Sequence, residues 1–391
     1  MSSRAANTLT VRLLERVRDV SREAWDALAD PDGSPFVEHT WLDCLEEAGC
    51  VGAEIGWLPR HFTLYRGETL IAAAPAYVRG GSEGEFVFDF AWADLANRLG
   101  TPYYPKLLFA VPFTPATGGR ILVAPGEDRD AITRLFAQAA RAFADDAELP
   151  GIHVNFVRDD EQARWVANGF FPRLHFQYHW HRNGNATWDD YLARFNSKRR
   201  NQIKREVAQP AKDGIRIETL APSALTPSVV RTMYALYAST VDKHYYGSRY
   251  LNPRFFSLLA DPGSAFADRL RWVVARDGSG EIIAGAFNVA KGSRLYGRYW
   301  GARVDVPMLH FNVCYYHGVR ECIERGIDVF EPGAGGEHKR ARGFVPTATY
   351  SAHWLRNARL RSIIEPHVAH ERERVLSIVG EGRERESDDE A

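Results

Sequence analysis

The stretch that decides the fold is RLRWVVARDGSGEIIAGAFNVAKGSRLYGRYWG, residues 269–301. It contains three runs rich in β-branched and aromatic residues, and short turns with Gly, Asp or Ser separate them, so the pattern predicts three consecutive β-strands. A helical pattern follows from about residue 308 and ends before Gly326. The strand-like runs IDVFE and TYSAHWL come next. Strands therefore precede one helix, and two more strands follow it.

The first half of the chain repeats this order. Several strand-like runs, FVFDFAW at 86–92 among them, precede a predicted helix at about 128–146, and two further strands follow that helix. We interpret the repeat as an internal duplication, with an N-terminal domain at residues 1–180 and a C-terminal domain at 181–379. The predicted fold class is α+β, with two tandem domains that each contain a mixed, mostly antiparallel sheet flanked by helices.

Charge and composition limit the function classes. The chain has 391 residues, and its 49 Lys and Arg nearly balance its 50 Asp and Glu. It therefore lacks the basic excess of a protein that coats a nucleic-acid duplex. The last twelve residues, 380–391, hold six acids and two bases, and we predict a disordered acidic tail there.

Four cysteines form no C-x-x-C pair, which favours reduced thiols and gives no metal site. The first twenty residues carry frequent charges, and no uncharged stretch is long enough to cross a membrane. We expect a cytoplasmic protein. The sequence lacks the phosphate-binding P-loop and the motifs of zinc proteases, serine hydrolases and dinucleotide-binding proteins. It therefore does not resemble the common members of those enzyme classes.

The first candidate site is FNSKRRNQIKREV, residues 195–207, with five bases in eight positions. On a helix, Arg199 and Arg200 lie beside the apolar stripe that includes Ile203, and Lys204 follows it. This pattern is typical of a clamp for phosphate or carboxylate, since arginine offers a bidentate fork. The alternative is a solvated basic face with one structural salt bridge.

The second candidate site is FEPGAGGEHKRARGF, residues 330–344, between two predicted strands. Glycines such as Gly335 and Gly336 let backbone N–H groups approach a ligand closely. Three cations, Lys339, Arg340 and Arg342, supply positive charge, and Glu337 and His338 are candidates for proton transfer. The alternative is a long hairpin with merely exposed charges.

The third candidate site lies within residues 82–122, an aromatic segment interrupted by prolines. Tyr103, Tyr104 and Lys106 could line a substrate groove, with the carboxylates Asp89 and Glu85 nearby. The alternative is that these aromatic residues belong to the hydrophobic core.

At these segments the sequence resembles the FemAB-like family of N-acyltransferases, labelled peptidoglycan biosynthesis or recognition proteins, within the superfamily of Gcn5-related N-acetyltransferases (GNAT). The resemblance covers residues 34–356 and rests on SPFVEHTWLDCLE, WLPRH, GEFVFDFAWAD, YYPKLLFAVPFTPATGGRIL, SKRRNQIKRE, LYGRYWG, LHFNVCYYHG and FEPGAGGEHKRARGFVP. It implies two tandem GNAT-like domains and direct acyl transfer to an amine, without a covalent enzyme intermediate.

The resemblance also implies roles for individual residues. Glu337 or His338 would be the base, and Lys339 and Arg342 would bind an anionic carrier or the oxyanion. The chain departs from the family pattern at Asn312, where the family carries Glu, and at Gly335, where it carries Gln. If that Glu is the base, this member is altered in catalysis or binds without turnover.

The acyl donor is left open between aminoacyl-tRNA and an acyl-CoA. Ordinary GNAT enzymes hold the CoA pyrophosphate with an R/Q-x-x-G-x-G/A turn, and neither corresponding turn of this chain, VAPGEDRD or GARVDVPMLH, has it. The expected partners are an amine acceptor, small or part of a cell-wall precursor, and tRNA as a candidate. Two alternatives to an aminoacyltransferase remain: a noncatalytic recognition protein, and a conventional acetyltransferase with an atypical phosphate loop.

Overall fold

The computed structural model describes residues 8–243 and 248–389. Its contacts divide the chain into two compact units. The N-terminal unit contains residues up to 175 together with 348–376, and the C-terminal unit contains residues 176–347 together with those from 377 onward. The domains predicted from the sequence are 1–180 and 181–379. In the structure, residues 348–376 belong instead to the N-terminal unit.

Strands and helices alternate along the whole described chain. Up to residue 181 they are β1 (Leu9–Leu14), α1 (Arg22–Asp26), α2 (His39–Glu47), β2 (Trp57–Pro59), β3 (His61–Arg66), β4 (Thr69–Ala74), β5 (Ala76–Arg79), α3 (Phe90–Arg98), β6 (Lys106–Phe109), β7 (Leu122–Val123), α4 (Arg129–Asp146), β8 (Gly151–Val157), α5 (Asp159–Ala167) and β9 (Phe171–His181). Then come α6 (Trp188–Ala193), α7 (Ser197–Lys212), β10 (Arg216–Thr219), α8 (Pro227–Val241), α9 (Pro253–Leu259), β11 (Val273–Arg276), β12 (Ile282–Lys291), β13 (Arg294–Ala302), the interrupted helix α10 (Leu309–Phe311, the π-helical turn Asn312–Tyr316 and His317–Arg325), β14 (Val329–Glu331), a 3₁₀ helix (Glu337–Arg342), β15 (Val345–Leu355) and α11 (Ala358–Asp389).

The N-terminal unit contains a small antiparallel sheet, β1-β3-β4-β7, and a larger sheet, β2-β5-β6-β8-β15. In the larger sheet β6 and β8 are parallel, as is expected of strands that a helix joins, and α4 lies between them in the chain. The apolar stripe of α4, with Ile132 and Phe136, packs into a buried core with Phe62, Phe109 and Trp165.

The C-terminal unit contains four of the predicted strands, β11 to β14, in one sheet of the order β10-β11-β12-β13-β14, whereas the predicted strand TYSAHWL is β15 and lies in the N-terminal unit. Neighbouring strands are antiparallel except β13 and β14, which α10 joins and which are parallel. Antiparallel strands followed by one helix and a parallel strand therefore occur in both units. The predicted α+β class with mixed, mostly antiparallel sheets is confirmed.

Two local predictions differ from the structure. The run FVFDFAW was predicted as a strand, but a loop at 86–89 leads there into the helix α3. The alternation of Phe with Val and Asp imitated a strand, whereas Asp89 is drawn into a buried cluster and Phe88 is 63% exposed. The predicted disordered tail begins inside α11, which is helical to Asp389. No helix among the described residues is both long enough and apolar enough to cross a membrane.

Candidate functional site

The C-terminal unit has an opening where two parallel strands part. β13 and β14 pair from Arg294↔Val329 to Tyr296↔Glu331. β14 then ends, while β13 continues to Ala302. A Cβ atom at the next position of β13, Gly297, would lie 3.1 Å from the Cα atom of Pro332, so glycine allows the chain after β14 to pass close to β13 without a shift of the backbone.

A cavity of about 170 Å³ lies at this opening. Three parts of the C-terminal unit line it: the strands β12 and β13, the helix α10, and the glycine-rich loop after β14. The residues are Ala286, Asn288, Gly297, Arg298, Tyr299, Trp300, His310, Cys314, Tyr315, Pro332, Ala334 and Lys339. None of these twelve residues is an aspartate or a glutamate.

A β-bulge shapes the strand wall of the cavity. The pairing of β12 with β13 moves from Phe287↔Tyr299 directly to Asn288↔Gly297, so Arg298 is an extra residue without a cross-strand position. A bulge of this kind bends a strand and changes the direction of nearby groups. Burial lowers the pKa of the Arg298 side chain.

The helix wall comes from the interrupted helix α10. Its π-helical turn, Asn312–Tyr316, brings Cys314 and Tyr315 to the cavity, and such turns are frequent at functional sites. His310 lies against the Trp300 ring, with 4.6 Å between ring centroids. Burial lowers the pKa of His310 to about 4, so its ring is neutral at pH 7.

The loop after β14 supplies a buried cation. Gly333, Gly335 and Gly336 all have positive φ, between 73° and 90°, which glycine adopts without strain. They fold the chain back so that Lys339, only 2% exposed, donates hydrogen bonds from Nζ to the carbonyls of Gly333 (2.6 Å) and Ala334 (3.3 Å). Within the described part of the chain no carboxylate lies within 4.0 Å of this ammonium. Burial lowers the pKa of Lys339 to about 8.

The two predicted proton-transfer residues do not line the cavity, and both are exposed. His338 nevertheless connects to it, since its Nε2 atom lies 2.9 Å from the hydroxyl of the cavity residue Tyr315. Partial burial and the neighbouring cations Lys339 and Arg342 lower the pKa of His338. The ring is therefore neutral at pH 7 and can accept a proton. Glu337 has no such connection.

Arg342 is engaged inside the protein. Its guanidinium forms an ion pair with Glu206 (2.8 Å), which also accepts a hydrogen bond from Tyr316, and it stacks on the Phe311 ring at 3.3 Å. Arg342 and Glu206 are 4% and 6% exposed. The pair ties the 3₁₀ helix to α7 and so fixes the position of Lys339.

Asn312, one of the two positions that depart from the family pattern, has a side chain that bonds only to backbone groups among the described residues. Its Nδ2 atom donates to the carbonyls of Glu206 (2.9 Å) and Met308 (3.0 Å), and its side chain is buried. It does not line the cavity between β13 and β14.

The basic helix α7 is not a ready clamp. Arg200 donates to the carbonyls of Leu192 (3.2 Å) and Phe195 (3.0 Å), and Arg199 donates to the carbonyl of Ala341. Lys204 is exposed. Two of the three predicted anion ligands thus hold neighbouring backbone carbonyls at or just after the C-terminal ends of α6 and of the 3₁₀ helix, where carbonyl groups lack full intrahelical pairing.

The third predicted group lies in the N-terminal unit and is buried. Lys106 is fully buried, and its Nζ atom contacts Asp89 (2.6 Å), Glu85 (2.9 Å) and Ser82 (3.0 Å). Tyr103 donates to Asp89 at 2.6 Å. The ammonium uses all three protons within the unit, so the predicted groove-lining residues form a closed ion cluster. Tyr104 joins it through a 2.7 Å contact between its hydroxyl and Ser82.

Sequence reasoning missed most of the cavity. It singled out Lys339 but passed over Asn288, Arg298, His310 and Tyr315. One signal was available, because Asn288 is the only polar side chain in the run IIAGAFNVA. A polar residue inside a buried strand needs a partner, and that need could have marked it.

Comparisons with known proteins were consistent with this architecture. The family model FemAB-like, described as peptidoglycan biosynthesis/recognition, matches residues 16–387. No curated protein matches the sequence.

Three solved structures resemble the chain at low sequence identity. The C-terminal domain of a protein from Agrobacterium fabrum, described as a lysylphosphatidylglycerol synthetase, has a TM-score of 0.56 at 10% identity and covers 88% of this chain and 95% of its own. FemX has a TM-score of 0.52 at 13% identity, with coverages of 88% and 98%. The L-PGS protein from Bacillus licheniformis has a TM-score of 0.51 at 11% identity, with coverages of 82% and 93%. At this identity the three structures show similarity of fold only. The similarity includes residues of both units, since each match covers more than 80% of this chain.

Proposed function

The chain belongs to the FemAB-like family, and on that premise we propose that it is an N-acyltransferase that forms an amide bond by direct transfer of an acyl or aminoacyl group to an amine. The observation that carries the proposal is Lys339, a buried ammonium at the cavity between β13 and β14 with no carboxylate partner among the described residues. Burying an ammonium without a counter-ion costs folding free energy, so its presence at a cavity suggests a functional role. The family description makes an amine of a cell-wall precursor the acceptor that we propose.

Lys339 would stabilise the oxyanion. The amine attacks the carbonyl carbon of the donor, a C–N bond forms, and the carbonyl π electrons move to oxygen. The ammonium of Lys339 lies in a low-dielectric site, where it stabilises that negative charge more strongly than water does. When the intermediate collapses, the bond to the carrier breaks and the carrier takes the electron pair.

Tyr315 and His338 would carry the proton. The attacking amine gives a proton to the Tyr315 hydroxyl, which passes its own to Nε2 of His338, 2.9 Å away. Burial raises the pKa of Tyr315, so the hydroxyl relays a proton and does not remain ionised. The exposed His338 can then return the proton to the leaving carrier. This relay favours His338 over Glu337 as the base.

The donor carrier that we favour is one other than CoA. At the start of α10, where a GNAT enzyme binds pyrophosphate, the N–H of Leu309 already donates to the Val306 carbonyl (3.2 Å), and Asp305 lies in the preceding loop. An acid before a helix start opposes the binding of a phosphate. Aminoacyl-tRNA and other acyl carriers remain, and acyl-CoA is the competing donor.

A second candidate function is noncatalytic recognition of a cell-wall precursor or acyl carrier. It is favoured by the absence of Asp and Glu from the residues that line the cavity, since a carboxylate is a common general base.

One experiment distinguishes the two functions. Purified protein is incubated with an amine panel that includes lysine-containing peptidoglycan stem peptides, together with acetyl-CoA, bulk aminoacylated tRNA or the same tRNA with its aminoacyl nitrogens acetylated, and amide products are measured by mass spectrometry. We expect turnover with one donor class, and a fall of about 100- to 1,000-fold in kcat for Lys339→Ala, the range found when one oxyanion donor is removed.

Lys212→Ala, an exposed lysine at the end of α7, is the matched control and should leave turnover unchanged. Binding of precursor or donor without any product would instead support the recognition protein. Equal turnover by the wild type and Lys339→Ala would refute the assigned site.

A further inference from the structure

Asn288 places a buried amide in the cavity. Side chains alternate along a strand, so Asn288 lies on the same face of β12 as Ala286. Ala286 pairs with Trp300 and packs with Val313 of α10, which fixes that face as the one toward the helix. The residue opposite Asn288 is Gly297, which has no side chain. The cavity begins where that side chain is missing.

The side-chain amide of Asn288 has no hydrogen-bond partner in the part of the chain that the structure describes. Its side chain is 1% exposed, its Nδ2 atom is buried without a hydrogen-bond partner, and no described residue bonds to its Oδ1 atom. An unsatisfied buried polar group is destabilising. Because this unpaired amide lines a cavity, it is placed to bond a ligand there.

The charges around the cavity have one sign. Lys339 places its ammonium there, His310 is neutral at pH 7, and the lining has no aspartate or glutamate. Glu331, at the end of β14, is paired with Arg294 at 2.8 Å and does not line the cavity. A ligand group with a positive charge would find no counter-ion and would be repelled by Lys339.

The volume limits the size of that group. At about 30 Å³ for each water molecule, 170 Å³ holds roughly five or six molecules. A drug-sized ligand needs a pocket of about 300–1,000 Å³. The cavity therefore fits a short acyl group and is too small to enclose a long aliphatic chain.

We propose that the cavity holds the acyl group of the donor, and that this group is small, carries no positive charge, and is selected by a hydrogen bond from Asn288. This inference rests on the proposed function. It narrows the substrate class to short uncharged or anionic acyl groups, including aminoacyl groups whose nitrogen is blocked, and it excludes aminoacyl groups with a free ammonium.

The test compares two amides of the same size. Propionamide and glycinamide differ by one CH₃ and one NH₃⁺ group, and at pH 6.5 glycinamide is a cation because α-amino groups have a pKa of about 7.7–8.0. Binding to the full-length protein is measured by the rise of the melting temperature with concentration, as mass action requires. We expect propionamide to bind at least tenfold more tightly than glycinamide, since the ammonium of glycinamide would lie in the same cavity as the ammonium of Lys339, and two like charges placed side by side repel strongly.

Two variants locate the effect at Asn288. Asn288→Ala should weaken propionamide binding about tenfold, and Asn288→Asp, which adds the missing carboxylate, should reverse the preference toward glycinamide. Gly278→Ala, in a turn with open space around it, is the control for a change of residue in the same sheet. Tighter binding of glycinamide than of propionamide to the wild type would overturn the inference, whether or not the variants fold.

Turnover separates this inference from the proposed function. If propionamide binds as expected but no donor is turned over, the acyltransferase function fails and the selectivity of the cavity stands. If a free aminoacyl donor is used and its turnover depends on Lys339, the function stands and the inference about the acyl group is wrong.

Discussion

At the scale of single residues, burial without a counter-ion determines the behaviour of Lys339. Its pKa is lowered to about 8 from an ordinary 10.5 because desolvation disfavours the ammonium. If the ammonium stabilises the oxyanion, activity is lost as the pH rises through about 8. The unfolded chain binds the proton more readily between pH 8 and 10.5, so the free energy of unfolding rises with pH in that window.

We therefore predict a bell-shaped pH dependence of kcat/KM for the wild type. Its acid limb reports His338, with a pKa below 6.5, and its alkaline limb reports Lys339, at about 8. Lys339→Arg stays charged and should lose the alkaline limb while it keeps the acid limb. An alkaline limb of unchanged position in Lys339→Arg would assign it to another group.

The buried pair of Arg342 with Glu206 supports the loop that carries Lys339. Arg342→Met leaves a buried carboxylate without its cation, and we expect a loss of about 3–5 kcal/mol of unfolding free energy. The double variant Glu206→Leu with Arg342→Met removes both charges and should recover most of that loss. Urea unfolding measures both, and a double variant no more stable than the single one would contradict the account.

Glu85 makes stability depend on pH in the N-terminal unit. Burial raises its pKa to about 7, from 4.5 when it is exposed. The folded state then binds the proton more tightly, so Glu85 causes the free energy of unfolding to fall as the pH rises from 4.5 to 7. Glu85→Gln should lose this part of the slope. Urea unfolding at pH 5 and pH 7.5 checks it, and equal slopes for both proteins would show that Glu85 does not titrate there.

At the scale of elements, close packing of α8 on β13 depends on one glycine. A Cβ atom at Gly301 would lie 1.8 Å from the backbone oxygen of Leu236, which cannot move without moving the helix. We predict that Gly301→Ala destabilises the protein by about 3 kcal/mol or more, at the upper end of the cost of overpacking. Gly278→Ala, which meets no atom within 4 Å, should change stability by less than about 0.5 kcal/mol. Thermal and urea unfolding compare the two variants.

The elements themselves could be read from the sequence where periodicity was strong. The strands β12 and β13 and the helix α4 occur near the predicted places. The run at 86–92 could not be read correctly, because its alternating pattern favours a strand and only tertiary ion pairs of Asp89 with Lys106 hold it as a loop.

At the scale of the whole molecule, the N-terminal unit is built from two segments that are distant in the sequence. Residues 348–376 belong to the N-terminal unit, where Ala352 of β15 and Leu360, Ile364 and Val368 of α11 enter its buried clusters. We predict that a chain ending at residue 347 loses the cooperative unfolding of the N-terminal unit, since most of the strand β15 and part of the core of that unit are removed. Calorimetry of this chain and of one ending at residue 381 makes the comparison, and the longer chain should unfold like the wild type. Equal transitions in both would show that the segment is dispensable.

By itself the sequence determined the α+β class, the duplicated order, the family and one cavity residue, Lys339. Those features depend on local periodicity and on motifs that are contiguous in the chain. Only the tertiary structure decided that Lys106, Arg342 and Arg199 are held by internal partners, while Asn288 is not. The reason is physical: whether a polar group is satisfied depends on atoms distant in sequence, as Glu206 is from Arg342 and Gly297 from Asn288.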